Sequence, residues 1–131
     1  MSNQIYRRLG STAASQHGVF SRENARKVGI SDTTLDRSVT VGRYAQLLPG
    51  VFAVAGSPKS ERQAIAATVL SFPALAAASH QTAAEMWGLT KRRPRTIEVV
   101  TTRWDRVRRK DVKVHESLDL LPHDVVERDG I

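Results

Sequence analysis

Apolar residues recur every four positions at the start of the chain. Ile5, Leu9 and Ala13 share a face if residues 3–15 are helical. Gly18 breaks the pattern, and the short apolar pair Val19-Phe20 follows. Ser21 is placed to cap a second helix over RENARKV, in which Ala25 and Val28 lie on one side. Gly29 ends that helix, as glycine just past a helix commonly does. Ile30 is a single apolar residue in the turn. Ser31 or Asp32 then caps a third helix with Leu35 and Val39 as its apolar seam, closed by Gly42. Residues 21–41 thus read as helix, a turn of about three residues and helix, the spacing of a helix-turn-helix. The β-prone stretches 44–48 and 51–55 flank Pro49-Gly50, so a hairpin follows directly. Three helices and then a hairpin is the order of a winged helix.

The pattern changes after Ser57-Pro58, which sets the expected boundary between a domain over 1–57 and a second over 58–131. Residues 60–72 predict a helix with Ile65, Val69 and Phe72 on one face, stopped by Pro73. Residues 76–79 read as a short buried strand. Residues 80–87 read as a short helix with Ala83 and Trp87 inward, ended by Gly88. Residues 96–102 and 112–116 read as strands, with the basic segment RWDRVRRKD as the turn of a hairpin, and 125–126 as part of a last strand. The expected fold class is α+β: an N-terminal winged helix-turn-helix followed by a small αβ subdomain with an antiparallel sheet.

Charge sharpens this outline. The net charge is +7, and it is unevenly spread. Residues 1–57 carry seven basic and three acidic side chains, and residues 91–110 carry nine basic and two acidic. Residues 58–90 balance, and 111–131 are acidic. A polyanion is the natural partner for such a surface. The hydrophobic share of 40% is enough to fold and excludes a disordered tail. The chain has no cysteine, and therefore no disulfide framework or thiolate metal site. It has no apolar run near the roughly 18 residues that span a bilayer, and its start lacks a hydrophobic signal core. The expected location is the cytoplasm.

In a helix-turn-helix the second helix of the pair enters the major groove of double-stranded DNA. With Leu35 and Val39 turned inward, Thr33, Thr34, Arg37 and Thr40 are the candidates to reach base edges: threonine by hydrogen bonds or methyl contact, arginine by bidentate pairing with guanine. Asp36 on the same helix would repel phosphate unless it pairs with Arg37 or accepts from a cytosine. Arg43, at the root of the hairpin, Arg22, Arg26 and Lys27 on the preceding helix, and Arg7 and Arg8 on the first, are the candidate phosphate contacts. Arg103, Arg106, Arg108, Arg109 and Lys110 form a second basic patch, with Arg92, Arg93 and Arg95 ahead of the adjoining strand. Trp104 lies in this patch, placed to stack on a base or on an arginine.

Other chemistry finds little support in the spacing. His17, His80, His115 and His123 form no His-x-x-x-His pair, so no metal and no cofactor is expected. Asp105, Asp111, Lys113 and Glu116 could be forced into a nuclease role, but their surroundings are mostly arginine. No phosphate-binding glycine loop or recognisable nucleophile is present. The chain is not expected to be an enzyme.

Three segments carry a resemblance: HGVFSRENARKVGISDTTLDRSV, GRYAQLLPGVFAVAG and ASHQTAAEMWGL. Together they resemble AbiEi-type antitoxins of bacterial toxin–antitoxin systems, over about residues 14–131. The resemblance implies a winged helix that binds DNA upstream of its own operon and represses it. It also implies a downstream region that supports neutralisation of a nucleotidyltransferase-like toxin. It places the recognition helix on residues 31–41 and the wing on 43–55. Similar proteins continue beyond the phrase matching HDVVERDGI, so the resemblance implies a fragment or a naturally short relative. Binding as a homodimer or in tandem is expected, because one wing-helix unit reads only a few base pairs. The alternative is a protein-interaction module that neutralises a toxin or docks on a missing nuclease-like domain.

Overall fold

The third helix is short and rich in threonine, serine and aspartate, poor helix formers that need tertiary packing to hold them. Packing is what the computed structural model of the chain, which describes residues 3–91 and 96–131, supplies. The first elements are α1 (Asn3–Ser15), β1 (Val19–Ser21), α2 (Arg22–Lys27), α3 (Asp32–Thr40), β2 (Tyr44–Leu48) and β3 (Val51–Val54). The strands make an antiparallel sheet in the order β1-β3-β2, with Phe20 opposite Phe52. This is a winged-helix-like arrangement, as expected. The strand β1 was legible only as an apolar pair, because three residues are too few to show a period.

One core serves all of these elements. Leu9 and Ala13 from α1, Phe20 from β1, Ala25 from α2, Ile30 from the turn, Leu35 from α3 and Phe52 from β3 are buried together with Tyr44. The Phe20 ring meets the Tyr44 ring edge-on with centroids 4.9 Å apart, and stacks on Phe52 at 5.7 Å. Ile30 plugs the turn between α2 and α3. Its N–H donates to the Ala25 carbonyl (3.0 Å), while the Gly29 N–H donates to that of Arg26 (3.0 Å). Gly29 has φ +96°, the left-handed conformation this helix stop requires. At the other end of α2, Ser21 and Asn24 cap reciprocally: Ser21 Oγ accepts from the Asn24 N–H, and Asn24 Oδ1 accepts from the Ser21 N–H.

The first compact unit does not stop at the expected boundary of residue 57. It runs from Met1 to Ser71 and includes α4 (Glu61–Leu70). The reason is Gln63, a buried polar side chain. Its amide donates to the His17 carbonyl (3.0 Å) and to Ser57 Oγ (3.2 Å), tying α4 to the end of α1. Gly18 lets the backbones approach here, since a Cβ on it would lie 2.6 Å from Ser57 Cβ.

The second unit spans Phe72–Asp129. It contains β4 (Ala76–Ala78), α5 (His80–Met86), β5 (Ile97–Thr101), β6 (Val112–Glu116) and a 3-10 turn, Pro122–Asp124. The sheet order is β4-β5-β6. Three expectations need correction here. β5 and β6 pair in parallel, Ile97 beside Val112 and Thr101 beside Glu116, so the segment between them is a crossover and the second sheet is mixed, with only β4 and β5 antiparallel. A short connection between strands suggests a hairpin, but an extended segment of this length can return along a five-residue strand of roughly 17 Å. Residues 125–126 form no strand. Trp87 is not core: it is 47% exposed, and the Arg128 guanidinium lies 4.3 Å from its ring centroid.

Leu35 is fully buried on a short helix, which generates a direct test. Leu35→Ala should destabilise the protein by about 2–5 kcal/mol, the usual cost of such a cavity. Thermal unfolding checks this. An unchanged melting temperature would mean that α3 is rotated from the orientation described.

Candidate nucleic-acid interface

The phase of α3 decides which side chains face outward. Leu35 and Ser38 are buried and Val39 packs half-buried on the core. Thr33, Asp36, Arg37 and Thr40 are exposed and fall on one stripe, at the i, i+3, i+4, i+7 spacing of a helix face. Three of the four expected base-reading residues, Thr33, Arg37 and Thr40, are on that stripe. Thr34 is half-buried, and its hydroxyl oxygen accepts from Ser31 Oγ (3.0 Å), the residue that caps the helix. Thr40 Oγ1 donates back to the Asp36 carbonyl (3.1 Å), leaving its lone pairs and methyl group outward. Arg37 has no ion pair or hydrogen bond to its guanidinium among the described residues.

The acidic residues of α3 are neutralised from α2. Arg26 holds Asp32 through two hydrogen bonds, Nε to Oδ1 at 3.0 Å and Nη2 to Oδ2 at 2.7 Å. Arg22 reaches both carboxylates, 3.6 Å from Asp32 and 3.3 Å from Asp36. Its guanidinium carbon also lies 5.3 Å from the Phe52 ring centroid. Asp36 therefore pairs with Arg22, and not with Arg37 or a base, the two partners expected to keep it from repelling phosphate. The hydrogen bond from Arg26 holds the Asp32 carboxyl below its usual range and raises the Arg26 guanidinium. Arg22 and Arg26, expected on phosphate, are first of all the clamp between α2 and α3. Lys27 sits exposed near Glu23 at 3.7 Å.

The remaining cations of this unit are differently placed. Arg43 leaves α3 toward β2, with its guanidinium carbon 4.1 Å from the ring centroid of Tyr6 on α1. Arg7 and Arg8 are exposed on α1. The β2–β3 hairpin carries no lysine or arginine from Tyr44 to Val54, and it presents Leu47 near its tip, partly exposed.

The second basic patch divides the same way. Arg109 is turned inward. Its side chain is 9% exposed, it clamps Asp105 through both terminal nitrogens (3.0 and 2.9 Å), and its guanidinium carbon lies 3.8 Å from the Phe72 ring centroid. This withdraws Arg109 from the expected patch and holds the Asp105 carboxyl below its usual range. Arg106 is exposed. It stacks over Trp104 at 4.8 Å and reaches Glu116 at 3.5 Å, so Trp104 takes an arginine rather than standing open. Arg103, Arg108 and Lys110 are exposed, with no side-chain partner among the described residues. The crossover borders an open groove of about 960 Å³ lined by Trp104, Arg106, Arg108, Arg109, Lys110 and Lys113. Arg92, Arg93 and Arg95 lie outside the described residues.

The comparison with known families falls on the first unit. Residues 7–55, from α1 to the end of the hairpin, match the family described as "Transcriptional regulator, AbiEi antitoxin". This bears out the resemblance to AbiEi-type antitoxins over that segment. The block ASHQTAAEMWGL and the rest of the second unit lie beyond the match. No curated protein matches the chain. Among the described residues no helix is long and apolar enough to cross a membrane.

The α2–α3 clamp predicts an acid-sensitive contribution to stability. Asp32 titrates below its ordinary value of 3.8 in the folded chain. Its contribution is therefore present above that pH and is lost as pH falls through the folded value. Wild type should melt above Asp32→Asn near neutral pH, by a small margin typical of exposed pairs. The two should converge below pH 3.8. A gap that persists in acid would mean the carboxylate charge is not what holds the helices.

Proposed function

We propose that the chain is a sequence-specific double-stranded-DNA-binding protein that acts as an antitoxin-type transcriptional repressor of its own operon, in the cytoplasm. The observation that carries this reading is Arg37. It is a guanidinium unpaired among the described residues, on the outward stripe of α3, flanked by Thr33 and Thr40, within the segment 7–55 that matches a transcriptional-regulator family. Arg37 pairs with guanine in the major groove, while Thr33 and Thr40 contact neighbouring bases. Arg43 and the α1 residues Arg7 and Arg8 are the phosphate contacts, since they are not committed to carboxylates. Lys27 joins them at the α2 edge. Arg22 and Arg26 act mainly through the clamp. The hairpin, lacking cations, contributes backbone and apolar contact.

The protein works by binding, without catalysis. Two of the three carboxylates that a nuclease would need are already committed: Asp105 to Arg109, and Glu116 to the Trp104 N–H at 2.7 Å and to Arg106. The free cations Arg103, Arg108 and Lys110 make a second, sequence-independent contact with DNA. A homodimer on a two-fold operator supplies the length of sequence that a single α3 lacks. The antitoxin part of the reading rests on the family description, and its partner is a nucleotidyltransferase-like toxin.

Binding to duplex DNA from the chain's own upstream region, followed by fluorescence anisotropy, tests this. Arg37→Ala should lose about 1–3 kcal/mol on the preferred site and relax preference at one position. Arg43→Ala should weaken all sequences alike. Equal affinity of wild type and Arg37→Ala for the preferred duplex would refute the assignment of α3.

The second contact has its own signature. Each phosphate neutralised lowers the slope of log affinity against log salt by about 0.9. Replacing Arg103, Arg108 and Lys110 together by Ala should make the slope shallower by about two to three units, with the preferred sequence unchanged. Arg109→Ala should instead lower the melting temperature and leave the slope alone. An unaltered slope in the triple variant would give this patch to a protein partner.

A further inference from the structure

His80, Glu98 and His115 are far apart in sequence and carry no metal-binding spacing, yet the fold of the second unit gathers them. His80 opens α5, Glu98 lies on β5, and His115 lies on β6. The parallel pairing does this. Glu98 pairs with Lys113 and Val100 with His115, so the Glu98 and His115 side chains share one face of the sheet. The His80 and His115 rings stack with centroids 3.8 Å apart and planes at 24°. One donor atom from each of the three residues lies within 4.8 Å of the other two.

We propose that His80, Glu98 and His115 bind one divalent transition-metal ion of the zinc class, with solvent completing its coordination. The donor chemistry fits. Two imidazole nitrogens and one carboxylate oxygen are a zinc set, whereas calcium and magnesium take oxygen ligands. The stacked rings must fan apart for both imidazoles to aim a lone pair at one ion, and the contacts around the donor atoms leave them available for it. His115 Nε2 is shielded from solvent and has no hydrogen-bond partner among the described residues, with Glu98 Oε1 3.7 Å away. His80 Nδ1 lies 2.9 Å from Ser79 Oγ, so its Nε2 remains for a ligand, and a hydrogen bond of this kind fixes the ring of a metal-binding histidine. Glu98 Oε2 accepts from the Gln81 N–H at 2.8 Å, which leaves Oε1 toward the imidazoles.

The same Gln81 N–H keeps the Glu98 carboxyl below its usual range, and so ionised as a ligand must be. Lys113 Nζ, 4.0 Å from Oε1, is an exposed ammonium that a bound cation would turn away. Zinc bonds of about 2.0–2.1 Å bring donors to roughly 3.4 Å from one another, so binding draws the three side chains together from their present spacing. His80 itself has φ +50°, a conformation rare for a side-chain-bearing residue, at the point where the chain turns its ring over His115. The bound ion would pin the start of α5 to β5 and β6.

Titration of the metal-stripped full chain with Zn²⁺ by calorimetry, and with Co²⁺ by visible absorption, tests the site. The expected result is one ion per chain, cobalt bands of a site with nitrogen and oxygen ligands, and a melting temperature raised by Zn²⁺. His115→Gln and His80→Ala should each weaken binding by at least about tenfold. Glu98→Gln keeps an acceptor for the Gln81 N–H while removing the charge, so it should lose the metal and stay folded. His123→Ala, outside the cluster, should bind as wild type. Failure to take up one equivalent would overturn the proposal, as would uptake that is undiminished in folded Glu98→Gln and His115→Gln.

Discussion

Leu35 is buried completely beneath a helix only nine residues long, and this one contact sets the direction of every other side chain on α3. A helix repeats every 3.6 residues, so fixing Leu35 inward fixes Thr33, Arg37 and Thr40 outward. The sequence of α3 has little helix propensity of its own to contribute. Its order comes from the core that Leu35 joins, in which Ile30 seals the turn and Phe20, Phe52 and Tyr44 close the other side. The outward stripe is therefore a consequence of packing on the opposite face.

Electrostatics then separates structural from available charge. A basic surface attracts a polyanion whichever residue carries the charge, but only uncommitted guanidinium and ammonium groups reach it without breaking something else. Arg22 and Arg26 neutralise Asp32 and Asp36, removing the repulsion that those carboxylates would present to phosphate while fixing the angle between α2 and α3. Arg109 is committed to Asp105 and Phe72 in the second unit. What remains is a smaller set: Arg37 on α3, Arg43 just after it, Arg7 and Arg8 on α1, and Arg103, Arg108 and Lys110 on the crossover.

The winged-helix-like unit was largely legible in the sequence, because its signals are local. Ser21 and Ser31 cap, Gly29 stops, Pro49-Gly50 turns, and Leu35 marks the inner face. The attachment of α4 was not legible, since it depends on a hydrogen bond from Gln63 to the chain near His17, far away in sequence. Strand direction in the second unit was not legible either. The stretch between β5 and β6 looks like a charged turn, and only the packing of Arg109 on Phe72 and the pinning of Trp104 by Glu116 show how that segment is held along its return. The same parallel pairing brings together histidines whose spacing carries no motif. Charge counting located the basic segments correctly but had no means of telling a clamped arginine from a free one.

The central claim is that the outward stripe of α3 is the surface that meets DNA. Backbone amide shifts of the isotopically labelled full chain, followed while its own upstream duplex is added, test this residue by residue. The account predicts that the largest changes fall at Thr33, Arg37 and Thr40 and at Arg43 beside them, and that the amides of Leu9 and Phe52 in the core move little. Changes confined to the second unit or to the exposed apolar residues of the hairpin, with α3 unaffected at saturation, would contradict it.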